Sequence, residues 1–181
     1  MISVRPATHD DLERLADLAR SFIEKTRYAR FLAFDRATVL QFLQLLLLRG
    51  LLVVAEVTDR PGQLVGFVAA VYGTDPIGST KMLDELAWWV EPVYRNGRTG
   101  PKLLRALEAW AQANGVDTIT MKAPVDTDVG RFYERHGYEP VETVHFKRLQ
   151  HGTDDGVTPG RRDPRRLASD AAVDEEDRSR V

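Results

Sequence analysis

The chain has 181 residues, with 25 Lys and Arg against 27 Asp and Glu and a formal net charge of −2, so it generates no basic field that would draw it to nucleic acid or an anionic membrane. It has no cysteine, which excludes disulfide scaffolds, zinc ribbons, thiol catalysis and iron–sulfur centres. Apolar residues make up 43% and charged residues 29%, a globular composition, and the longest leucine run, Leu45–Leu48, is far short of the roughly 20 residues of a spanning helix.

Arg5, Asp10, Asp11, Glu13 and Arg14 occupy the region where a signal peptide would be apolar, so a cytoplasmic protein is expected. Ile2–Arg5 reads as a short strand. Thr8 with Asp11 three residues later resembles a helix start, followed by a stripe of Leu12, Leu15, Ala19, Phe22 and Ile23. Asp35 can cap a second helix with Val39, Phe42, Leu43, Leu46 and Leu47 inward, and Gly50 is a natural stop. Leu51–Val57 and Leu64–Tyr72 read as a hairpin joined by Asp59-Arg60-Pro61-Gly62, which is turn chemistry. Met82–Val90 is then the fourth strand of the chain. Leu103, Leu104, Leu107, Trp110 and Ala111 recur at helical spacing up to Asn114-Gly115. Thr118–Ala123 reads as a strand, Val129–His136 as a short helix ended by Gly137, and Tyr138–Val141 and Thr143–Leu149 as two closing strands.

From His151 to Val181 there is no Phe, Tyr, Trp, Ile or Met, and the segment holds eight acids and six arginines. It cannot bury enough apolar surface to offset the entropy of ordering. The expected organisation is therefore a domain over residues 1–150 and a disordered charged tail over 151–181. Setting the tail aside leaves 19 acids and 19 bases, so a charge cluster within the domain is informative. The basic knot Arg161-Arg162-Asp163-Pro164-Arg165-Arg166 is countered by Asp174-Glu175-Glu176-Asp177; a solvated polyampholyte is expected rather than a nucleic-acid arm.

The most informative stretch runs from Val90 to Pro101. A strand ends, a polar turn with Gly97 and Gly100 follows, and the long helix starts. Residues 92–107 contain Arg95, Arg98, Lys102 and Arg105 and no acid. A helix N-terminus has unpaired N–H groups and a partial positive charge, so four cations around it suggest a phosphate-bearing ligand. The turn is neither Gly-Lys-Ser/Thr nor GxGxxG. Taken alone, it is equally well a glycine turn into a surface helix with solvated arginines.

The surrounding motifs favour the ligand reading. Asp10–Glu13 open the first helix, Val65-Gly66-Phe67-Val68 lie on the third strand, Leu86–Pro92 lead into the turn, and Arg131-Phe132-Tyr133-Glu134-Arg135-His136-Gly137-Tyr138 stand near the end. In this order and spacing, residues 1–150 resemble the GNAT superfamily of acyl-CoA N-acyltransferases. The family turn Arg/Gln-x-x-Gly-x-Gly/Ala reads here Arg95-Asn96-Gly97-Arg98-Thr99-Gly100: its ends match, Arg98 stands at the middle glycine, and Gly97 lies one place earlier.

The resemblance implies a mixed, mostly antiparallel α/β (α+β) sheet, splayed between its fourth and fifth strands and flanked by about four helices. It implies acetyl-CoA as acyl donor, with its pantetheine arm along Trp88 to Val90 and its pyrophosphate on the turn of Arg95, Asn96, Gly97, Arg98, Thr99 and Gly100. It makes Tyr133 the general acid for the departing thiolate, against the plainer reading of a core tyrosine. An amine near pKa 10 must lose a proton before it attacks, so a base helps. Glu85 and Asp84 lie on the fourth strand with opposite parity: Asp84 with Leu86, Trp88 and Val90, Glu85 with Ala87, Trp89 and Glu91. A β-bulge would exchange these sets. Glu85 is chosen, acting directly or through water, against the alternative of a strand-edge carboxylate in an ion pair.

His136 reads as a last-turn residue before the Gly137 cap and His145 as a surface strand residue. No histidine pair has metal spacing, so no metal is expected. Asp126 stands where the family often has Asn. The expectation is an N-acetyltransferase acting on a small-molecule or peptide amine, with no nucleic-acid or membrane partner and with a homodimer compatible. The rival is a non-catalytic acyl-CoA-binding module, which would need neither Glu85 nor Tyr133.

Overall fold

The computed structural model describes residues 1–95, 97–125 and 127–149. The expected 151–181 tail lies outside the described residues, as do Asn96 and Asp126. Met1–Lys147 form one compact unit. Its elements are β1 (Ile2–Pro6), α1 (Leu12–Glu24), α2 (Arg36–Arg49), β2 (Gly50–Val57), β3 (Leu64–Thr74), β4 (Lys81–Val90), α3 (Thr99–Ala113), β5 (Thr118–Thr120) and α4 (Val129–Glu134). Short 3-10 turns stand at His9–Asp11, Arg27–Arg30 and Pro92–Tyr94.

The five strands form one sheet in the order β1-β2-β3-β4-β5. The first four are antiparallel, and β5 runs parallel to β4. The central strands are apolar at nearly every position because helices cover both faces, which removes the usual alternation. On one face α1 and α2 enclose Leu52, Val54, Phe67, Ala69 and Trp89. On the other, α3 covers Leu51, Val53, Val68, Leu83 and Val90. Among the described residues no helix is long and apolar enough to cross a membrane.

Local chemistry sets the element ends. Asp11 reaches back to accept the Thr8 N–H at 2.8 Å and takes a bidentate Arg5 at 2.7 and 2.9 Å. Asp35 caps α2 by accepting the Thr38 N–H at 2.8 Å. Gly50 ends α2 with an extended backbone; a Cβ there would stand 2.7 Å from the Ala70 carbonyl oxygen, so close approach, not a left-handed φ, demands glycine. Gly62, Gly115 and Gly137 do take positive φ. Phe42, expected inward, is 43% exposed, because Leu43 and Leu46 fill the buried face of α2.

β4 and β5 pair only from Met82–Thr118 to Asp84–Thr120. Beyond that point β4 continues to Val90 while β5 has ended, so the sheet splays there. Ala69 faces Ala87 and Ala70 faces Glu85, leaving Leu86 as an extra residue on β4. This is the β-bulge that exchanges the parities: Glu85 comes onto the α3 face with its partner Ala70, and Leu86 packs toward α1 and α2. The two closing strands expected over Tyr138–Val141 and Thr143–Leu149 are not formed, and residues 138–149 carry no ladder. β5, three residues long instead of six, presents almost no edge to pair with, and Pro140 lacks an N–H.

Candidate active site

The carboxyl group of Glu85 lies at the splay. The residue is 3% exposed, and its Oε2 accepts the Lys122 main-chain N–H at 3.0 Å, which leaves the second oxygen available to another donor. Burial pushes its pKa up to about 7, against the opposing pull of Lys122. The Lys122 ammonium in turn donates to the Glu85 carbonyl and pairs with Asp84 at 2.7 Å. Asp84 also accepts from the Thr120 hydroxyl. The carboxylate that parity alone could not choose against is thus half exposed and already paired, while Glu85 is buried and titrates near neutrality.

Tyr133 comes from α4, is buried, and stacks on Trp88 with ring centroids 5.6 Å apart and planes 26° apart. Burial raises its pKa, and the neighbouring Glu85 charge adds to the rise, so its phenol is neutral and able to donate. Trp88 lies between Tyr133 and the start of α3: a Cβ on Gly100 would stand 3.2 Å from the Trp88 ring. The Nε1 atoms of Trp88 and Trp89 are both buried with no hydrogen-bond partner among the described residues, and of the two Trp88 lies on the face of Tyr133 and α3. Such orphaned donors are rare in native interiors and call for an explanation.

The turn before α3 differs from the expected ring of four cations. The Arg95 Nε donates to the Val90 carbonyl at 2.8 Å, and its guanidinium lies 4.3 Å over the Trp89 ring. Lys102 donates to the Ile2 carbonyl, and Arg105 to the Pro101 carbonyl at 3.2 Å. Three of the four cations therefore serve protein carbonyls, because long side chains around a tight turn find main-chain acceptors nearby. Arg98, exposed, stands at the N-cap of α3 with no side-chain cap. By position Thr99 and Gly100 have N–H groups without helical acceptors, Pro101 has none to offer, and Lys102 already donates its N–H to Arg98 at 3.0 Å. Gly97 has open space around it. The donors left at this turn among the described residues are the Thr99 and Gly100 main-chain N–H groups and the exposed Arg98.

A cleft of about 70 Å³ opens at the splay. Phe22, Tyr28 and Leu86 line it from the α1 side, Trp88, Pro124 and Val129 from the other, with Glu85 and Lys122 between. A larger hollow of about 350 Å³, near Pro6, Leu46, Gly50 and Trp110, shares no residue with it. Lys122 and Tyr28 escape a reading of the sequence: one is a lone lysine at the end of an apolar strand, the other a tyrosine in a linker. His136 bonds through Nδ1 to the Phe132 carbonyl at 2.8 Å, as a last-turn residue, and His145 is exposed. Among the described residues no group of three or more His, Asp or Glu side chains could hold a metal.

A family model described as an acetyltransferase (GNAT) domain matches residues 49–140, from the end of α2 to just past α4. The chain belongs to the GNAT acetyltransferase family. No curated protein sequence matches it. Solved structures give the same fold for the GNAT chain at low identity. The ribosomal-protein-alanine N-acetyltransferase from Brucella melitensis biovar Abortus 2308 is 20% identical with a TM-score of 0.62, over 82% of this chain and 99% of that one. AAC(6')-Iy, in complex with the bisubstrate analogue CoA-S-monomethyl-acetylneamine, is 18% identical with a TM-score of 0.66, over 83% and 99%. A transcriptional regulator from Bacillus halodurans C-125 is 15% identical with a TM-score of 0.68, over 82% and 100%.

Proposed function

We propose that this GNAT chain transfers an acetyl group from acetyl-CoA to a primary amine by direct attack. The observation that carries the reading is Glu85: a buried carboxyl group at the strand splay with a pKa of about 7, on the same sheet face as Tyr133. A general base works best with a pKa near the working pH. A binding module has no need to bury a carboxylate there against the cost of desolvation.

The residues present fit acetyl-CoA. The unpaired stretch of β4 beyond Asp84, the orphaned Trp88 Nε1 and the uncapped first turn of α3 give the pantetheine amides and the pyrophosphate their donors. Trp88 and the Arg95-to-Gly100 turn, Asn96 and Thr99 included, would hold the donor; the Val90 carbonyl is already taken by Arg95. The CoA-bearing analogue held by AAC(6')-Iy supports the same donor here. When bound, the thioester supplies an activated acetyl group. Glu85 takes the proton whose loss turns the ammonium into a nucleophilic amine, and passes it to solvent. As the new C–N bond forms and the C–S bond breaks, Tyr133 gives its hydroxyl proton to the sulfur. It regains one from the amide nitrogen through solvent, so one proton is released per turnover.

Thiol release from acetyl-CoA with a panel of primary amines tests this. Tyr133→Phe keeps the stacked ring and should lower turnover at least about tenfold with acetyl-CoA affinity nearly constant. Glu85→Gln should remove the rise of rate with pH around 7. Wild-type turnover by Tyr133→Phe would remove the acid role, and no thiol release with any amine would overturn the acetyl-transfer reading.

A further inference from the structure

The cleft at the splay also carries information about its acceptor. Phe22 meets Tyr28 at 5.2 Å and Trp89 at 6.2 Å between ring centroids. Tyr28 meets Phe146 at 5.7 Å, and Phe146 meets Phe31 at 5.4 Å. These five rings form an unbroken rail from the sheet, through Phe22 and Tyr28 of the cleft lining, to the protein surface, where Phe146 is exposed. Rings at such spacing favour a further flat apolar group stacked edge-to-face or offset.

The charges narrow the class further. Glu85 is the single carboxylate lining the cleft among the described residues, and Lys122 lines it too. Asp84, the nearest other acid, is spent on Lys122. The segment that forms the α1 side, residues 20–31, adds a single acid, the exposed Glu24, and Glu91 is spent on Lys25 at 3.1 Å. A polyamine or an aminoglycoside has several ammonium groups, and each needs a carboxylate or open water. This cleft offers one carboxylate and a like charge beside it. One ammonium on an aromatic body meets all the requirements: its nitrogen reaches Glu85, the aromatic faces attract its charge, and its ring extends the rail.

We propose that the acceptor is an aralkylamine, a single primary amine on a short chain from an aromatic ring. The inference rests on the acetyl-transfer reading above. Its test compares kcat/KM for phenethylamine and tryptamine with that for n-butylamine, spermidine and neamine in the thiol-release assay. The aralkylamines should exceed the others by at least about tenfold, the scale on which apolar pockets discriminate. Tyr28→Ala, and separately Phe31→Ala at the outer end of the rail, should each reduce the phenethylamine-to-butylamine ratio at least about threefold in chains whose circular dichroism is unchanged. Preference for spermidine or neamine, or a ratio unmoved in both folded variants, would overturn the inference while leaving acetyl transfer intact. Absence of turnover with every amine would instead overturn acetyl transfer itself.

Discussion

Glu85 shows what a single residue costs and supplies at this site. Its folded pKa of about 7 lies above the ordinary value of 4.5 because the charged form is desolvated. Between those values the folded chain binds the proton that the unfolded chain has released, so stability falls as pH rises from about 4.5 through about 7 and stays lower above. The displacement corresponds to an upper figure on the order of 3 kcal/mol. Glu85→Gln removes this titration and keeps a carbonyl for the Lys122 N–H. The variant should melt at a similar temperature to the parent at pH 4.5 and clearly above it at pH 8.5. A melting difference constant across that range would show that the group is ionised throughout. The sequence places Asp84 and Glu85 on opposite faces and identifies the device, a bulge, that would exchange them. Whether the bulge exists depends on the strand opposite, where Ala69 faces Ala87 and Ala70 faces Glu85. Periodicity along one strand carries no record of its partner's register. Lys122 is hidden for the same reason: its work is to tie the end of β5 to β4 across the splay, a relation between segments 37 residues apart.

At the level of elements, the turn into α3 combines two demands. On the acetyl-CoA reading its main-chain N–H groups must stay open to an anion, and its backbone must pass close to Trp88. Gly100 meets both, since even a Cβ there would press on the Trp88 ring at 3.2 Å. Gly97, with nothing near it, meets only the first. Gly100→Val should therefore weaken acetyl-CoA binding by at least about tenfold, through the displaced ring as well as the crowded turn, whereas Gly97→Ala should change it less than about threefold. Isothermal titration on both variants checks this; equal affinities would place the phosphates away from the turn. The strands and helices up to α4 are legible because their signals are local: Asp35 as a cap, Pro61-Gly62 as a turn, Leu103 to Ala111 as a stripe. The two closing strands are misread because an apolar alternation forms a strand only where an edge awaits it. The count of four cations says nothing of where their side chains bend, which only the fold shows. Arg95 lies over Trp89 and bonds the Val90 carbonyl, so it braces the end of β4.

For the molecule as a whole, the sheet separates two approaches to one point. α1 and α2 pack on one face and α3 on the other, and at the splay beyond Asp84 the cleft takes residues from both sides. An amine reaching Glu85 past Phe22 and Tyr28 and a thioester laid along β4 toward α3 can meet there without sharing an entrance. A donor held in this way bridges β4, the α3 turn and Tyr133 of α4, three elements whose mutual positions exist only in the folded chain. Its binding must therefore raise thermal stability by mass action on the native state. At a concentration one hundred times its Kd, the gain is about 2.7 kcal/mol. For a chain of this size that corresponds to a rise in Tm of roughly 5–10 °C. Acetyl-CoA should produce this shift, and adenosine monophosphate and acetate together should not, because neither spans the distance from the turn to the splay. In Trp88→Phe, which removes the orphaned indole N–H while keeping a ring beneath Gly100, the shift should be smaller than in the parent. If the melting curve of the parent chain stays fixed at millimolar acetyl-CoA, the splay and the α3 turn do not act as one binding site, whatever the fold.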